Sequence, residues 1–552
     1  MKHFRAICVC GLLVCALSPY AGAGLGFSDP AALVENAQSD GVADGGPRLE
    51  YSATGTWIAS WPRGAAEDEN DVVVSRSVDA GTTWSAPVAL NADPDTDTVS
   101  DINPRLATDG AGNWVAIWVR VNAKDAAATD NDILVSRSSD DGVSWSAPEI
   151  LNTKADIVFP FGFEVLGGTP SPALATDGMG NWVASWRTTV PPDSNGDIDL
   201  LTSTSTDNGE TWSDSVSVST VGDAVIDASP RLVPTGEGEW LIMWNTVGFV
   251  IANSLKVSRS TDNGATWNAA ETLIAYESDD PVRHNISRLE TDGNGLWIGL
   301  GEFASHNLEE IVPVPTNDYD IFIMRSEDNG ATWTDPVSLV KPSKKERRDD
   351  LIPILTTDRA GNWMAAWNSQ VSTAKSGQDA DLRVSFSKDD GVTWTTPVLL
   401  NKNGYSDGGA DLIPAIRTDG LGNWLAVWSS ENLLDNSNGS DVDTDIHFAK
   451  STLTVGDNLF VISPNGGERV ARGRKLKLEW LSIGEPGGQV ALELLREGEL
   501  VEVLKNNTGN DGKAKWRVPS DFQPGKKYKV RVKSNENPEI NEQSDARFRV
   551  LE

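Results

Sequence analysis

Cysteine is almost absent from this sequence. Of 552 residues only three are cysteines, all near the N-terminus: Cys8, Cys10 and Cys15. They fall in a segment with a basic start, an apolar run at 6–17 and small residues at 21–23, a pattern typical of an export signal. Without residues 1–23 the chain has no cysteine for a disulfide, a thiol nucleophile or a metal site. Lipid attachment at Cys15 is the alternative, which Val14 fits poorly.

Positive charge is scarce over most of the chain. Residues 1–454 hold 29 lysines and arginines against 65 aspartates and glutamates, a net charge of -36, whereas residues 455–552 hold 17 against 15, a net charge of +2. So acidic a body argues against nucleic acid and anionic membranes as partners. Apolar runs long enough to span a membrane are also missing after the N-terminal segment. We expect a secreted, periplasmic or cell-surface monomer.

Tryptophan, in contrast, is abundant and falls at repeated positions. Six stretches share the pattern S-x-D-x-G-x-[ST]-W at spacings of 55 to 67 residues, and the copy at 258–267 reads SRSTDNGATW. A second pattern alternates with it in seven copies, such as PRLATDGAGNWVAIW at 104–118. It predicts a strand, a tight Asp-Gly turn and a second strand. With one short strand before each S-x-D pattern and one after it, each repeat predicts a four-stranded antiparallel meander.

The repeats predict an all-β fold, a seven-bladed β-propeller from about Ala31 to Leu453. The seventh unit, at 445–455, has a third strand but lacks the S-x-D pattern and a fourth strand. The N-terminal segment 31–49 parallels 86–106, which follows an S-x-D pattern, and therefore predicts the missing strand. Closing the ring in this way removes exposed sheet edges.

The S-x-D-x-G-x-[ST]-W hairpin resembles the Asp-box, or bacterial neuraminidase repeat, of sialidases and many other secreted propellers. This resemblance indicates the fold more than the function, because the box occurs in enzymes, receptors and assembly factors. Physically it is a turn in which serine and aspartate accept backbone N–H bonds and glycine takes a positive φ. We therefore interpret the box aspartates as structural: Asp79, Asp140, Asp207, Asp262, Asp328 and Asp389.

The resemblance to sialidases implies catalytic residues that this sequence matches poorly. Sialidases hold the substrate carboxylate with three arginines, the first in an R-I-P motif, and use a tyrosine nucleophile with a glutamate partner. Aligned on the prolines, that first position holds no arginine but these residues: Gly45, Ile102, Pro170, Ala228, Asn285, Leu351 and Leu412. The segment GYSDGG around Tyr405 precedes the strand on which the family places its tyrosine. The sequence therefore favours a binding protein over an enzyme.

A different set of arginines follows the proline on the predicted innermost strands: Arg48, Arg105, Arg231 and Arg288. Arginines at this position could converge on an anion in the central channel, and with Tyr405 they are the candidate catalytic residues. Aspartates recur just upstream of the prolines, at Asp44, Asp101, Asp227, Asp350 and Asp411. Arg–Asp pairs between blades, around the ring, are the interpretation that we favour.

Two loops have the D-x-D-x-D spacing that clusters carboxylate oxygens around calcium. Their members are Asp93, Asp95 and Asp97 in one loop and Asp441, Asp443 and Asp445 in the other. Ring closure makes the two loops neighbours on one face, but neither has the glycine and downstream glutamate of an EF-hand. We expect no cofactor, with calcium as the open alternative to solvated acidic loops.

The composition changes after Leu453. Residues 455–552 contain short alternating strands and suit an immunoglobulin-like β-sandwich. The stretches at 463–480 and 510–519 resemble the immunoglobulin-like domain first described in fungal cell-wall glucan-synthesis proteins, which implies an accessory module for spacing or adhesion. The predicted divisions are a signal peptide (1–23), a propeller (24–454) and an immunoglobulin-like domain (455–552).

Function is predicted on the face opposite the Asp-boxes. The connections there are long and unlike one another, whereas the turns on the Asp-box face repeat. We call these the variable face and the uniform face. The main hypothesis is a secreted or surface propeller that binds a glycan or an extracellular protein through its acidic variable face. A divergent sialidase-type exo-glycosidase and a scaffold without a small-molecule ligand are the alternatives.

Overall fold

The structure is a computed structural model that describes the chain in segments separated by gaps. The described residues are 27–34, 42–64, 70–91, 99–121, 130–152, 157–158, 172–188, 198–220, 225–236, 238–248, 254–275, 284–305, 318–339, 348–371, 380–401, 409–431, 444–452, 458–464, 469–483, 487–538, 540–544 and 547–552. They form strands and turns and contain no helix, so the predicted all-β class is confirmed.

Seven antiparallel sheets follow one another along the chain, and each is one blade. Blade 1 consists of β2 (Ala43–Asp44), β3 (Arg48–Tyr51), β4 (Trp57–Gly64), β5 (Asp71–Ser77) and β6 (Val88–Ala89), and blade 2 consists of β7 (Ser100–Thr108), β8 (Trp114–Val121), β9 (Asp130–Ser138), β10 (Glu149–Ile150) and β11 (Ile157–Val158). Blade 3 consists of β12 (Ala173–Thr176), β13 (Trp182–Thr188), β14 (Asp199–Ser205) and β15 (Val216–Ser217), and blade 4 consists of β16 (Val225–Gly236), β17 (Glu239–Gly248), β18 (Ser254–Ser260) and β19 (Glu271–Ala275). In blade 1, β2 and β3 both pair with β4 and together form one innermost strand.

Blades 5 to 7 repeat the same order. Blade 5 consists of β20 (His284–Thr291), β21 (Trp297–Ser305), β22 (Asp318–Ser326) and β23 (Val337–Ser338). Blade 6 consists of β24 (Arg348–Thr357), β25 (Trp363–Val371), β26 (Ala380–Ser387) and β27 (Val398–Leu399). Blade 7 contains β28 (Asp411–Thr418), β29 (Asn423–Glu431) and β30 (Thr444–Thr452). The fourth strand of blade 7 is β1 (Ala31–Ala32), which pairs with β30 through Ala31–Phe448 and Ala32–His447. The predicted closure by the N-terminal segment is confirmed.

A hydrophobic core lies at each junction between blades. The second strand of a blade is buried along most of its length, because one neighbouring blade covers each of its faces. At the junction of blades 1 and 2, for example, Trp114 and Trp118 pack with Ile58, Val72 and Val74. Seven such clusters of described residues correspond to the seven junctions. The tryptophans of the W-x-x-x-W strands therefore hold the ring together by apolar burial.

The innermost strands meet around a central axis. Each contacts the innermost strand of the next blade, and β28 of blade 7 contacts β3 of blade 1, so the circle is complete. The residues that these strands direct away from the blade cores therefore converge from several blades. Residues far apart in the sequence are brought together by the ring alone.

The C-terminal part is a β-sandwich. Its strands are β31 (Asn458–Ser463), β32 (Arg469–Ala471), β33 (Lys475–Ile483), β34 (Gln489–Arg496), β35 (Glu499–Gly509), β36 (Lys513–Arg517), β37 (Gly525–Ser534), β38 (Asn541–Gln543) and β39 (Phe548–Leu551). One sheet has the order β31-β33-β36, and the other has the order β32-β39-β37-β34-β35 with β38 beside β37. Trp480, Trp516 and Tyr528 contribute to the core between them. Nowhere in the described part of the chain does a helix meet the length and apolarity needed to cross a membrane.

Candidate functional site

The Asp-box turns hold both oxygens of the box aspartate, and the hydroxyl of the box serine, in hydrogen bonds. In the box of blade 4, Asp262 Oδ1 accepts from the backbone N–H of Thr266 at 2.9 Å and from Ser260 Oγ at 2.8 Å, and Asp262 Oδ2 accepts from Thr266 Oγ1 at 2.6 Å. Ser260 Oγ in turn accepts from the Gly264 N–H at 2.9 Å. The hydrogen bond from the Thr266 hydroxyl contributes most to lowering the pKa of Asp262. Hydrogen bonds within the turn thus engage both oxygens of the carboxylate, which supports the structural interpretation of the box.

The same turns also join neighbouring blades, a role that the sequence motif did not reveal. Gly264 has φ +78°, and a Cβ placed there would lie 2.9 Å from Val183 of blade 3. The arginine of the S-R-S segment reaches the next blade, because Arg259 of blade 4 donates to the carbonyl of Gly330 in the box of blade 5. Arg76 of blade 1 donates to the carbonyl of Asp141 in blade 2 at 2.8 Å. The uniform face is therefore a ring of inter-blade contacts.

The innermost strands are irregular where the candidate arginines lie. A β-bulge precedes the arginine position in blades 2 and 4 to 7. Residues before the proline adopt positive φ, including two isoleucines, Ile352 at +53° and Ile413 at +52°. A β-branched residue rarely adopts this conformation, and such strain concentrates at functional sites. The bulges therefore mark this level of the channel as the place to look for a site.

Four arginines converge at this level, and we call them the channel cluster: Arg48, Arg105, Arg231 and Arg288. They are close enough for their charges to act on one another. Burial, followed by repulsion from Arg288 and Arg417, lowers the pKa of Arg48 to about 9. Burial also lowers the pKa of Arg105 well below its usual value, with repulsion from Arg48, Arg231 and Arg288 as the further cause. The four come from blades 1, 2, 4 and 5, so only the ring brings them together.

Arg48 and Arg105 donate hydrogen bonds to main-chain carbonyls. Arg48 Nη1 donates to the Pro47 carbonyl at 2.9 Å, and Arg105 Nε donates across the blade junction to the Pro172 carbonyl at 2.9 Å. Within the described part of the chain, neither Arg48 nor Arg105 forms an ion pair. Each keeps part of its surface accessible although protein surrounds it. These two guanidinium groups therefore border open space without a carboxylate partner.

The predicted Arg–Asp pairing between blades is wrong for Arg48 and Arg105. The buried Asp44 pairs within its own blade, with Arg63 at 2.9 Å and with the indole N–H of Trp61 at 2.8 Å. Asp101 likewise pairs with Arg120 of its own blade at 2.8 Å. The reason is the strand register, which places each aspartate directly opposite an arginine on the second strand of its own blade: Asp44 opposite Arg63, and Asp101 opposite Arg120.

A charged pair lies two residues nearer the uniform face, and sequence reasoning missed it. Arg417 of blade 7 donates to both oxygens of Glu50 in blade 1, at 2.9 and 2.6 Å. Burial raises the pKa of Glu290 of blade 5, and the charge of Arg417 opposes that rise. These three residues occupy one repeat position, three after the proline position, where other blades have Ala107 or Val233. Comparing the repeats column by column would have revealed them.

A further carboxyl group lies near the cluster. Glu302, in the half of β21 nearer the variable face, accepts a hydrogen bond from the backbone N–H of Ile352 in blade 6. Burial raises the pKa of Glu302, while the hydrogen bond and the charge of Arg288 act in the opposite direction. Burial alone therefore raises this pKa, and a carboxyl group with a pKa shifted by burial inside a channel is a candidate functional group.

Several predicted residues lie outside the described part of the chain: Tyr405, Asp93, Asp95, Asp97, Asp441 and Asp443. Asp445 is described and is fully buried on β30. Within the described residues, no group of three histidines, cysteines or acidic residues is arranged to hold a metal ion. Calcium binding in the two acidic loops stays a prediction.

Comparisons with known proteins agree with both predicted resemblances. Residues 55–163 match the family described as "BNR repeat-like domain", and residues 463–550 match "Kre9/KNH-like N-terminal Ig-like domain". A sialidase of Clostridium perfringens is 28% identical over 162 residues, which are 26% of this chain. The match spans 42% of the length of that relative.

Solved structures overlap with most of the chain at low identity. A protein of unknown function from Dyadobacter fermentans has 14% identity and a TM-score of 0.43, over 78% of this chain and 99% of its own. The NanB sialidase from Streptococcus pneumoniae has 13% identity and a TM-score of 0.39, over 79% of this chain and 71% of its own. The chain thus contains a BNR repeat-like segment within its propeller and a Kre9/KNH-like immunoglobulin-like segment after it.

Proposed function

We propose that this protein binds an acidic glycan by placing a carboxylate or sulfate group against the channel cluster. The observation that carries the proposal is the convergence of Arg48, Arg105, Arg231 and Arg288, whose charges repel one another. Arginine stays protonated in proteins, so the cluster is cationic at neutral pH. An anion would offset this repulsion, and guanidinium groups suit planar or tetrahedral oxyanions.

The rest of the channel supports an approach from the variable face. Arg417 and Glu50 neutralise each other in an ion pair, which lies nearer the uniform face than the channel cluster. An anion that reached Arg48 or Arg105 would therefore meet unpaired donors on one side and a neutral pair on the other. The net acidity of the propeller opposes non-specific anion binding, so affinity would depend on this one cationic spot.

The ligand is proposed to be a glycan because of the domain matches. The repeats match the BNR family, and the curated relative is a sialidase, an enzyme whose substrates are glycans. The N-terminal export pattern suits a protein that works in the periplasm, on the surface or outside the cell, where such glycans occur. An extracellular protein with an exposed acidic group is the other class of partner that the sequence allows.

The experiment is a direct binding measurement with matched acidic and neutral sugars. Calorimetry of the mature chain would use N-acetylneuraminic acid, glucuronic acid and a sulfated disaccharide, with glucose and lactose as neutral probes. We expect binding of at least one acidic probe and none of the neutral ones. Arg48→Met or Arg105→Met should weaken it at least tenfold, because a charge-assisted hydrogen bond is worth about 1.5–3 kcal/mol.

Arg137→Met is the matched control for these variants. Arg137 lies on the uniform face, where it pairs with Glu210 at 3.5 Å, and its replacement removes the same charge from the propeller. Its affinity should match that of the wild type. Equal weakening in all three variants, or binding that makes no distinction between acidic and neutral sugars, would show that the channel cluster is not the binding site.

A sialidase-type exo-glycosidase is the second candidate, and Glu302 favours it. A buried carboxyl group with a raised pKa beside Arg288 could act as a general acid on a sugar held by the arginines. The first arginine position of the family motif is filled by other residues, and Tyr405 lies outside the described residues. This leaves acid catalysis as the only step that described side chains support.

Hydrolysis of a fluorogenic sialoside separates the two candidates. An enzyme should lose turnover in Glu302→Gln while it retains affinity for free sialic acid, whereas Arg105→Ala should reduce affinity. Absence of hydrolysis by the wild type at any pH from 4 to 8, together with acidic-sugar binding, would leave the binding function alone. Hydrolysis that persists in both variants would rule out this site for the chemistry.

A further inference from the structure

The three-stranded sheet of the C-terminal sandwich has one strongly basic surface. Along β33 and β36, buried residues such as Leu476, Leu478 and Trp516 alternate with exposed ones, so the two strands direct a common set of side chains outward. The outward set is Lys475, Lys477, Glu479, Lys513, Lys515 and Arg517. We call this surface the basic sheet face. Five of its six side chains are cations.

The register of the strands brings like charges directly opposite each other. Lys477 faces Lys515, and Lys475 faces Arg517. Like charges opposite each other on adjacent strands destabilise a sheet. Glu479 offsets part of this repulsion, since it stands opposite Lys513 and pairs with Lys477, whose side chain is 63% exposed. Arg517 Nη1 donates to the Gly473 carbonyl at 2.9 Å. This arrangement opposes folding slightly, so a reason outside the fold is needed to explain it.

The basic sheet face stands out against the rest of the chain. Residues 1–454 carry a net charge of -36, and the segment that contains this face is the one with a net positive charge. Cations on one strand recur about every 6.7 Å, and the two strands lie about 4.8 Å apart. The result is a flat grid of positive charge in which lysine predominates.

These properties fit an extended polymer better than a folded protein. Interfaces between proteins have apolar and aromatic anchors at their centre and are depleted in lysine. Lysine ammonium groups are mobile point charges that suit a repeating row of anions without a fixed geometry. A polymer with a carboxylate or sulfate on each repeat could place several anions along the grid at once.

We propose that the basic sheet face binds an anionic polysaccharide, a polyuronate or sulfated glycan, and so attaches the protein to an acidic extracellular matrix. The site lies in a different domain from the channel cluster, so this inference does not depend on the proposed function of the propeller. Attachment through this face leaves the variable face of the propeller to engage its own ligand. Since exposed charges are strongly screened, binding should weaken steeply with salt.

The experiment measures binding of the full mature chain to immobilised alginate and dextran sulfate, with neutral dextran as the reference. The test variant is Lys477→Glu with Lys515→Glu. The matched control is Lys505→Glu with Arg547→Glu, which changes the net charge equally at exposed positions outside the basic sheet face. We expect at least a tenfold loss of affinity in the test variant and less than a twofold loss in the control at 50 mM salt.

Further measurements separate this inference from its alternatives. Thermal melting should show that both charge-reversal variants remain folded. If the test and control variants lost affinity for the polymer equally, net charge alone would explain the binding, and the proposal would be overturned. Polymer binding that is absent in the wild type, together with a dimer that the test variant abolishes, would instead identify the acidic propeller of a second copy as the partner.

Discussion

The uniform face and the channel of this propeller use charge in opposite ways. In an Asp-box each carboxylate receives hydrogen bonds from its own turn, as Asp140 does from Ser144 and Ser138, and its pKa falls to about 2. In the channel, Arg48 and Arg105 donate to main-chain carbonyls and repel their neighbours. The hydrogen bonds of each Asp-box stabilise its negative charge. In the channel, by contrast, no described carboxylate forms an ion pair with Arg48 or Arg105.

This difference separates scaffold from site. The repeated charge of the Asp-boxes stabilises each blade, whereas the arginines of the channel cluster repel one another and thereby oppose folding. Groups whose electrostatics oppose folding are therefore the better candidates for ligand binding. The comparison can be tested by substitutions whose consequences should differ between the two regions.

The largest effect is expected at the glycine of an Asp-box. A Cβ at Gly391 would lie 2.2 Å from Ile298 Cδ1 of the preceding blade, and its φ is +72°. Gly391→Ala should therefore lower the unfolding free energy by about 2–4 kcal/mol, from left-handed strain plus overpacking. Urea denaturation followed by tryptophan fluorescence measures this change.

Gly293→Ala is the control for this substitution. Gly293 has nearly the same φ, +79°, but a Cβ there meets no atom within 4 Å. Its loss should be only the backbone term, about 1 kcal/mol. If the two variants lost equal stability, the inter-blade contact of the Asp-box would have no energetic role.

A smaller and more diagnostic effect is expected inside the channel. Arg417→Met removes the bidentate pair with Glu50 and leaves two glutamates close together, and it should lower the unfolding free energy by about 2 kcal/mol. Arg105→Met loses two hydrogen bonds to carbonyls but relieves repulsion, so its stability should stay within about 1 kcal/mol of the wild type. Thermal melting at low salt compares the two. A large loss for Arg105→Met would make that arginine structural.

The smallest effect is the dependence of stability on pH in acid. The folded pKa values of Asp79, Asp140 and Asp328 are about 2, below the value near 3.9 of an unfolded aspartate. Their contribution is therefore fully present above about pH 4 and is lost as the pH falls through about 2. Because these carboxylates are exposed, solvent screening keeps each contribution small.

Replacing those three aspartates with asparagine tests the acid dependence. The triple variant should show a flatter decline of the urea midpoint between pH 5 and pH 2.5. Glu149→Gln, at an exposed strand position, should leave the slope as in the wild type. A triple variant with an unchanged slope would mean that other carboxylates dominate acid unfolding.

Repetition explains how much of this molecule could be predicted from its sequence. Six Asp-boxes and seven copies of the second pattern determined the number of blades, and the missing box at Leu453 indicated that the N-terminal segment would close the ring. The positions of Arg48 and Arg105 on the innermost strands followed from the same alignment. These features depend on local sequence patterns, and such patterns can be recognised because each one occurs several times in the chain.

The partners of the channel residues could not be predicted in the same way. Asp44 pairs with Arg63 and not with an arginine of another blade, because the pairing depends on side-chain height across adjacent strands. The Arg417–Glu50 pair joins residues 367 positions apart in the chain, at the one junction that the sequence order conceals. Such contacts depend on the closed ring and have no local signature.

Ring closure by β1 has a consequence for how the protein matures. Ser28 and Lys450 are 422 residues apart in the chain, yet they exchange hydrogen bonds at the closing junction. Synthesis delivers the N-terminal strand well before its partner β30, so the six blades between them form while both ends of the ring are still uncovered. Closure of the ring therefore requires the whole chain from β1 to β30. A chain interrupted anywhere before Thr444 keeps unpaired sheet edges, which quality-control proteases and chaperones can recognise.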